Sequence, residues 1–223
     1  MYFGLSEDQV FFQDNVKKYL EDNAPLDIIR KIIEDHESIY KKDIHKGIVN
    51  LGINNLLIPE ENGGLGLNLL FATAISQSLG EALAPIPFFG AYVMAPIAIS
   101  HGGSKDQINK IFNEMSNGKV NFGISFSEYF GSRGDSKIVF SNGKVNGTTL
   151  FALDCDHASH LLVSNSNGVI GSVSLDSQGI DCVDLITVDK TRVFKEINFN
   201  NVTVEVLEKT LSSSTAIEKS LDA

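Results

Sequence analysis

Apolar positions recur along this 223-residue chain with two different periods. In the first half they fall three and four residues apart. Ser6 is a favourable N-cap followed by Glu7 and Asp8, acids placed where a helix dipole attracts them, and Val10, Phe11, Val16, Tyr19 and Leu20 continue at helical spacing to Pro25. Ile28, Ile29, Ile32 and Ile33 predict a second short helix, and Ile44, Ile48 and Leu51 a third that stops at Gly52. After a Pro- and Gly-rich loop over 59–66, a long apolar helix is predicted over 69–83 and another over about 88–100. Ser104 caps a last helix with Ile108, Ile111, Phe112 and Met115 on one face and Gly118 as its stop. Beyond Gly118 the period drops to two. Short alternating runs cover 120–127, 136–141, 144–153, 160–164, 169–175 and 193–199, and Asn142-Gly143 between two of them is a hairpin signal. Six short strands with no helices between them predict an antiparallel sandwich or barrel. From Glu208 onward the chain reads as a loop and the start of another helix.

Composition sharpens this division. All five prolines precede residue 100, whereas 12 of the 16 valines follow residue 118. Valine's stiff side chain favours strands, so the shift marks a change of secondary structure. The reading is an α+β chain: an orthogonal α-helical domain over 1–118, a β-barrel domain over 119–206, and a linker or C-terminal helix start over 207–223. Residues 62–104 carry a single charge, Glu81. A membrane helix needs about 20 consecutive apolar residues, and this stretch is interrupted by Pro85, Pro87, Gly90 and Pro96, so it reads as buried core helices. The 28 acidic against 18 basic residues give a net charge of −10, which repels nucleic-acid phosphates and disfavours binding to membranes through a basic face. Two cysteines make no disulfide framework, and the N-terminus lacks a basic region followed by an apolar run; both point to a reduced, cytoplasmic setting.

Several motifs, in order, resemble the acyl-CoA dehydrogenase family. Leu51-Gly52-Ile53 with Pro59-Glu60-Glu61-Asn62-Gly63-Gly64-Leu65-Gly66 is similar to the family's Leu-Gly and Pro-Glu-x-x-Gly-Gly-x-Gly loop. Leu79-Gly80-Glu81-Ala82-Leu83-Ala84-Pro85, Gly103-Ser104-Lys105-Asp106-Gln107 and Asn117-Gly118-Lys119 resemble its helix ends. Ser127-Glu128 stands where the family has Thr-Glu, and the 145–151 run is similar to the strand pair that carries its flavin-facing tryptophan. Asp189-Lys190-Thr191-Arg192 and Phe199-Asn200-Asn201-Val202 match the close of its middle domain.

The resemblance spans about residues 5–208. It implies a helical domain followed by a β-barrel, FAD as cofactor, an acyl-CoA substrate desaturated at the α,β position, an electron-transfer acceptor, and a homo- or hetero-oligomer. The family's catalytic glutamate belongs to a C-terminal helical domain, so no catalytic residue is assigned among these 223. By the same resemblance Phe126, Ser127, Ser132, Phe151 and Leu153 face the flavin, and Ser132, Phe88 and Tyr92 face the substrate. Phe151 replaces the tryptophan, keeping an aromatic wall without an indole donor, and Leu153 replaces a hydroxyl residue that bonds flavin N5. An alternative is a non-catalytic, flavin-poor partner subunit of a heteromeric dehydrogenase.

Other signals have plainer readings. Cys155, His157 and His160 cluster in sequence, but their spacing fits no four-ligand zinc pattern and no metal is expected. Arg133-Gly134-Asp135 reads as a loop turn, and the sequons at Asn146 and Asn201 lack a secretory context. Gly63-Gly64-Leu65-Gly66 lacks the lysine of a phosphate loop and reads as a tight turn with positive φ.

Overall fold

The structure, a computed structural model, describes residues 4–34, 42–131, 137–156 and 158–223. Helix α1 (Glu7–Asn23) opens with a reciprocal capping box: the Gln9 amide donates to Ser6 Oγ and the Ser6 amide to Gln9 Oε1. Val16 and Leu20 are buried, but Val10 and Phe11 fall on the solvent side, Phe11 at 69% exposure. The helical period is therefore present, and the face it was expected to bury is rotated around Gln9, Val16 and Leu20. Helices α2 (Leu26–Glu34) and α3 (Lys42–Asn50) follow, with Gly52 at φ 79° ending the latter. In the 59–66 loop, Gly63 and Gly66 take φ of 81° and 62°, as that turn requires. Helix α4 (Leu69–Glu81) is capped by Asn68.

The segment read as one helix from residue 88 begins as a π-helix (Phe88–Met94) and tightens into α5 (Ala95–Gly102). The Ala95 amide donates five residues back to Gly90 O. Pro96 has no N–H to offer the Tyr92 carbonyl, so the tighter ladder cannot run through this point. Helix α6 (Lys105–Ser116) starts with a second capping box, Ser104 and Gln107.

Eight strands follow among the described residues: β1 (Phe122–Ser125), β2 (Val139–Ser141), β3 (Lys144–Leu153), β4 (His160–Ser164), β5 (Ile170–Ser174), β6 (Ile180–Leu185), β7 (Phe194–Thr203) and β8 (Glu205–Val206). They form one sheet in the order β6-β7-β3-β1-β4-β5-β8, with β2 also on β3. The sheet rolls toward itself, because a Cβ on Gly171 in β5 would lie 3.0 Å from the Phe140 ring in β2. Asn142 and Gly143 turn β2 into β3 with φ of 51° and 68°, the hairpin expected from their sequence.

Three details depart from the sequence reading. All pairs are antiparallel except β1 and β4, which run parallel with Phe122 opposite His160. Strands β6 and β8 were not foreseen: the middle residues of β6, Asp181 to Asp184, are exposed and show no alternation, and β8 is only two residues long. Strand β1 ends at Ser125, and Ser127–Phe130 forms a 3₁₀ turn instead of extending it. The segment from Glu208 is a 3₁₀ turn (Glu208–Leu211) and helix α7 (Thr215–Leu221).

One core lies within the helices, around Leu20, Ile48, Ile75 and Phe88. Another lies inside the rolled sheet, around Val145, Leu161, Val173 and Ile197. A third joins the two regions: Ile58, Ile99 and Phe112 from the helical side pack with Ile124 and Leu162 from the sheet and with Leu207 and Ile217 near the C-terminal end. Among the described residues no helix is long and apolar enough to cross a membrane.

Candidate functional site

The exposed aromatic of the sheet is set by an irregularity in β3. Its register with β7 shifts between Thr149 and Ala152, and within that shift Phe151 takes a left-handed φ of 55°. Leu150 and Ala152 on either side stay buried while the Phe151 ring stands 54% exposed. A bulge is a standard device for re-aiming a side chain out of the strand alternation. Hydroxyl groups brace it from β1 and the following turn. Ser125 Oγ donates to Leu150 O at 2.9 Å and lies 2.6 Å from Thr149 Oγ1, and the Leu150 amide donates to Ser127 Oγ at 3.3 Å.

Phe151 and Leu153 from β3, Phe126 and Ser127 after β1, Met94 at the end of the π-helix and Leu221 of α7 border an apolar depression of about 310 Å³. Among the described residues Ser127 is the one polar side chain in its lining. Ser220 Oγ donates to Met94 O at 2.8 Å, so α7 is fastened to the end of the π-helix beside the opening.

Immediately after Leu153 the chain turns inward. Asp154 is buried, with φ 59°, and its Oδ2 accepts from the amides of Gly90 at 2.7 Å and Ala91 at 3.3 Å. Those amides belong to the first turn of the π-helix, where unsatisfied N–H groups and the helix dipole favour a carboxylate. A Cβ at position 90 would lie 2.8 Å from Asp154 Oδ2, so a larger residue there would displace the carboxylate. Farther along the same turn Lys195 of β7 reaches Asp156 at 2.7 Å and Asp184 of β6 at 2.5 Å. Burial lowers the Lys195 pKa, but the hydrogen bonds to the two carboxylates outweigh it and leave the ammonium raised.

Four residues expected at the flavin face, Phe126, Ser127, Phe151 and Leu153, thus meet in one depression. Ser132 and the tripeptide 133–135 lie outside the described residues, as does His157. Of the three expected substrate residues, the two that are described, Phe88 and Tyr92, do not line this depression. Phe88 is 1% exposed within the helical core, and the Tyr92 hydroxyl lies 2.5 Å from His45 Nε2 in a different cavity. Burial, and then the charge of Asp154, push the Tyr92 phenol above its usual range. Phe130, Phe194 and Leu221 also line the depression and were not singled out by sequence, because each reads there as an ordinary core residue. Asp154 gave no sequence signal: a lone acid after a strand is the commonest of loop residues. Cys155 is buried, and burial, then Asp154, raises its thiol pKa, which keeps it protonated and unreactive. His160 is a strand residue whose Nδ1 lies 3.0 Å from Ser159 Oγ, and among the described residues no three His, Cys, Asp or Glu side chains are grouped to hold a metal.

A helical region followed by a rolled β-sheet, with an aromatic-walled depression where they meet, defines a two-part scaffold. The sequence pattern of the acyl-CoA dehydrogenase N-terminal domain matches residues 6–119, just over half of the chain. The chain belongs to the acyl-CoA dehydrogenase family. Its fold is similar to that of the ChsE4-ChsE5 complex from Mycobacterium tuberculosis, at 20% identity and TM-score 0.78, covering 92% of this chain and 57% of that one. An acyl-CoA dehydrogenase from Geobacillus kaustophilus matches at 16% identity and TM-score 0.80, over 99% of this chain and 63% of its own. A glutaryl-CoA dehydrogenase from Mycobacterium smegmatis, solved in complex with FADH2, matches at 15% identity and TM-score 0.74, over 98% and 59%. At these identities the likeness is one of fold, and the chain spans about three fifths of the length of those chains.

Proposed function

We propose that this chain forms the helical and β regions of an FAD-dependent acyl-CoA dehydrogenase, with the flavin ring resting in the depression beside Phe151. The observation that carries the reading is the bulge that turns Phe151 out of β3 and presents its ring at the mouth of an apolar recess. The lining fits the flat face of an isoalloxazine: an aromatic ring to stack on, Met94, Leu153 and Leu221 to exclude water, and Ser127 to meet the polar edge. The solved M. smegmatis relative, which holds FADH2, supports the same cofactor here. When bound, FAD supplies the hydride acceptor for α,β-desaturation of an acyl-CoA thioester. The chain's own part is positional. Phe151 fixes the plane of the ring, and Asp154 holds the adjoining turn against the π-helix so that the wall keeps its place. No base for the α-proton is assigned to residues 1–223, and the electrons leave to an electron-transfer acceptor.

Titrating the full chain with FAD and following flavin fluorescence tests this reading. Saturable quenching that weakens about tenfold in Phe151→Ala supports it, the expected loss for one aromatic stacking contact. Undiminished binding in Phe151→Ala would move the flavin elsewhere, and no uptake by the chain, alone or with a helical partner subunit, would end the proposal.

A second reading is favoured by Leu153. It offers no hydroxyl to flavin N5, and the Ser127 Oγ is already engaged by the Leu150 amide. On this reading the chain is the flavin-poor member of a heteromeric dehydrogenase, an arrangement of two different chains like that named for the M. tuberculosis complex. FAD counted per chain in a co-purified complex separates the two: one per copy of this chain supports the first, none supports the second.

A further inference from the structure

A second cavity, of about 320 Å³, opens at the opposite end of β1 from the flavin-facing depression. Phe122 of that strand lines this cavity and Ile124 the depression, roughly 7 Å along the backbone at about 3.3 Å per residue. Val49 of α3, Met115 of α6 and Phe122 of β1 form its apolar interior, with Tyr92 on one wall. The Tyr92 hydroxyl, 2.5 Å from His45 Nε2, braces the π-helix against α3 and holds this wall open. Lys46 and Asn121 stand at the rim.

The lining carries a cation in an acidic molecule. The chain carries a net charge of −10, yet among the described residues the cavity is bordered by Lys46 and His45 and by no carboxylate. A cation beside a low-dielectric recess concentrates positive potential there and selects anions. The volume is at the lower end of ligand pockets, about 300–1,000 Å³, and so suits a single ring with a short arm. A methionine sulfur and a phenylalanine ring on the interior favour an aromatic body over an alkyl one.

We propose that this cavity binds a small aryl- or arylalkyl-carboxylate, its ring among Val49, Met115 and Phe122 and its carboxylate at Lys46. The site is separate from the flavin wall and does not depend on FAD being bound.

The test uses the isotopically labelled full chain, 3-phenylpropionate as probe, and the neutral 3-phenylpropanamide as control. Saturable shifts of the Gly118 and Asn121 amides by the carboxylate, with a Kd on the order of 1 mM, are expected for a ligand of this size. The amide should bind at least about fivefold more weakly, and Lys46→Gln, at an exposed position that the fold tolerates, should bring the two probes to equal affinity. Val49→Trp, which fills the interior, should abolish the shifts while Lys46→Gln only weakens them. Three results would overturn the proposal: no saturable shift at about twenty times that concentration, equal binding of acid and amide to the unmodified chain, or shifts that survive Val49→Trp in a protein whose spectrum shows it folded. FAD binding is unaffected by either variant, so failure here is distinguishable from failure of the dehydrogenase reading.

Discussion

Asp154 Oδ2 accepts the Gly90 amide at 2.7 Å, a contact between residues 64 apart that ties the turn after β3 to the first turn of the π-helix. The bond is buried, and the glycine leaves room for it. It places the wall that carries Phe151 and Leu153 in a fixed relation to the helical region. Removing the carboxylate with Asp154→Ala leaves two buried amides without this acceptor and should lower unfolding stability by about 1–3 kcal/mol. Asp154→Asn, which keeps an oxygen for the Gly90 amide, should lose less. Urea unfolding of the three proteins checks the order, and an alanine variant as stable as the parent would contradict the clasp.

Leu153→Thr tests the composition of the depression. The substitution returns a hydroxyl to the position where the flavin reading lacks one. FAD affinity should rise about two- to twelvefold, the worth of one hydrogen bond at about 0.5–1.5 kcal/mol, measured by fluorescence titration. Unchanged affinity would mean that position 153 does not face the flavin.

His160 makes acid stability a readout of β4. Burial, the leading cause, lowers its pKa below the usual histidine value, so the fold prefers the neutral ring. The unfolded chain then binds the proton more readily, and stability is full above about pH 6.5 and falls as the pH drops toward the lowered folded-state value. Thermal melts between about pH 7 and 5 should show a decline that is smaller in His160→Gln. An identical slope in the variant would assign the acid sensitivity to other groups.

Lys195 links β7 to the 154–156 turn and to the edge strand β6 through Asp156 and Asp184. Lys195→Met should cost about 1–3 kcal/mol, chiefly because Asp156, only 20% exposed, loses its cation. Because the ammonium's pKa is raised, this contribution is complete at and below the ordinary lysine range and fades only at higher alkalinity. Hydrogen exchange along β6 should quicken in the variant, and unchanged protection there would show that the edge strand is held by its backbone alone.

The helices and most strands were legible in the sequence because their burial is one-sided. Ile44 and Ile48, or Val145 and Val163, are apolar for the same reason that they are buried. Strand β6 escaped because exposed Asp181, Cys182 and Asp184 carry no burial pattern, and Phe11 misled because it lies on a solvent face. The parallel pairing of β1 with β4 depends on the path of the whole chain and has no local mark. At the site, Phe126, Ser127, Phe151 and Leu153 could be named from a family resemblance, whereas Asp154 could not, since its partner amides are backbone groups that sequence does not display.

The core that joins helices to sheet also sets an order of events during synthesis. Ile58, Ile99 and Phe112 leave the ribosome early but pack against Leu207 and Ile217, and Gln107 awaits the Glu208 amide 101 residues later. Until those late residues emerge, the nascent polypeptide carries an uncovered oily seam, a natural target for chaperones, while the purely helical core can already have closed.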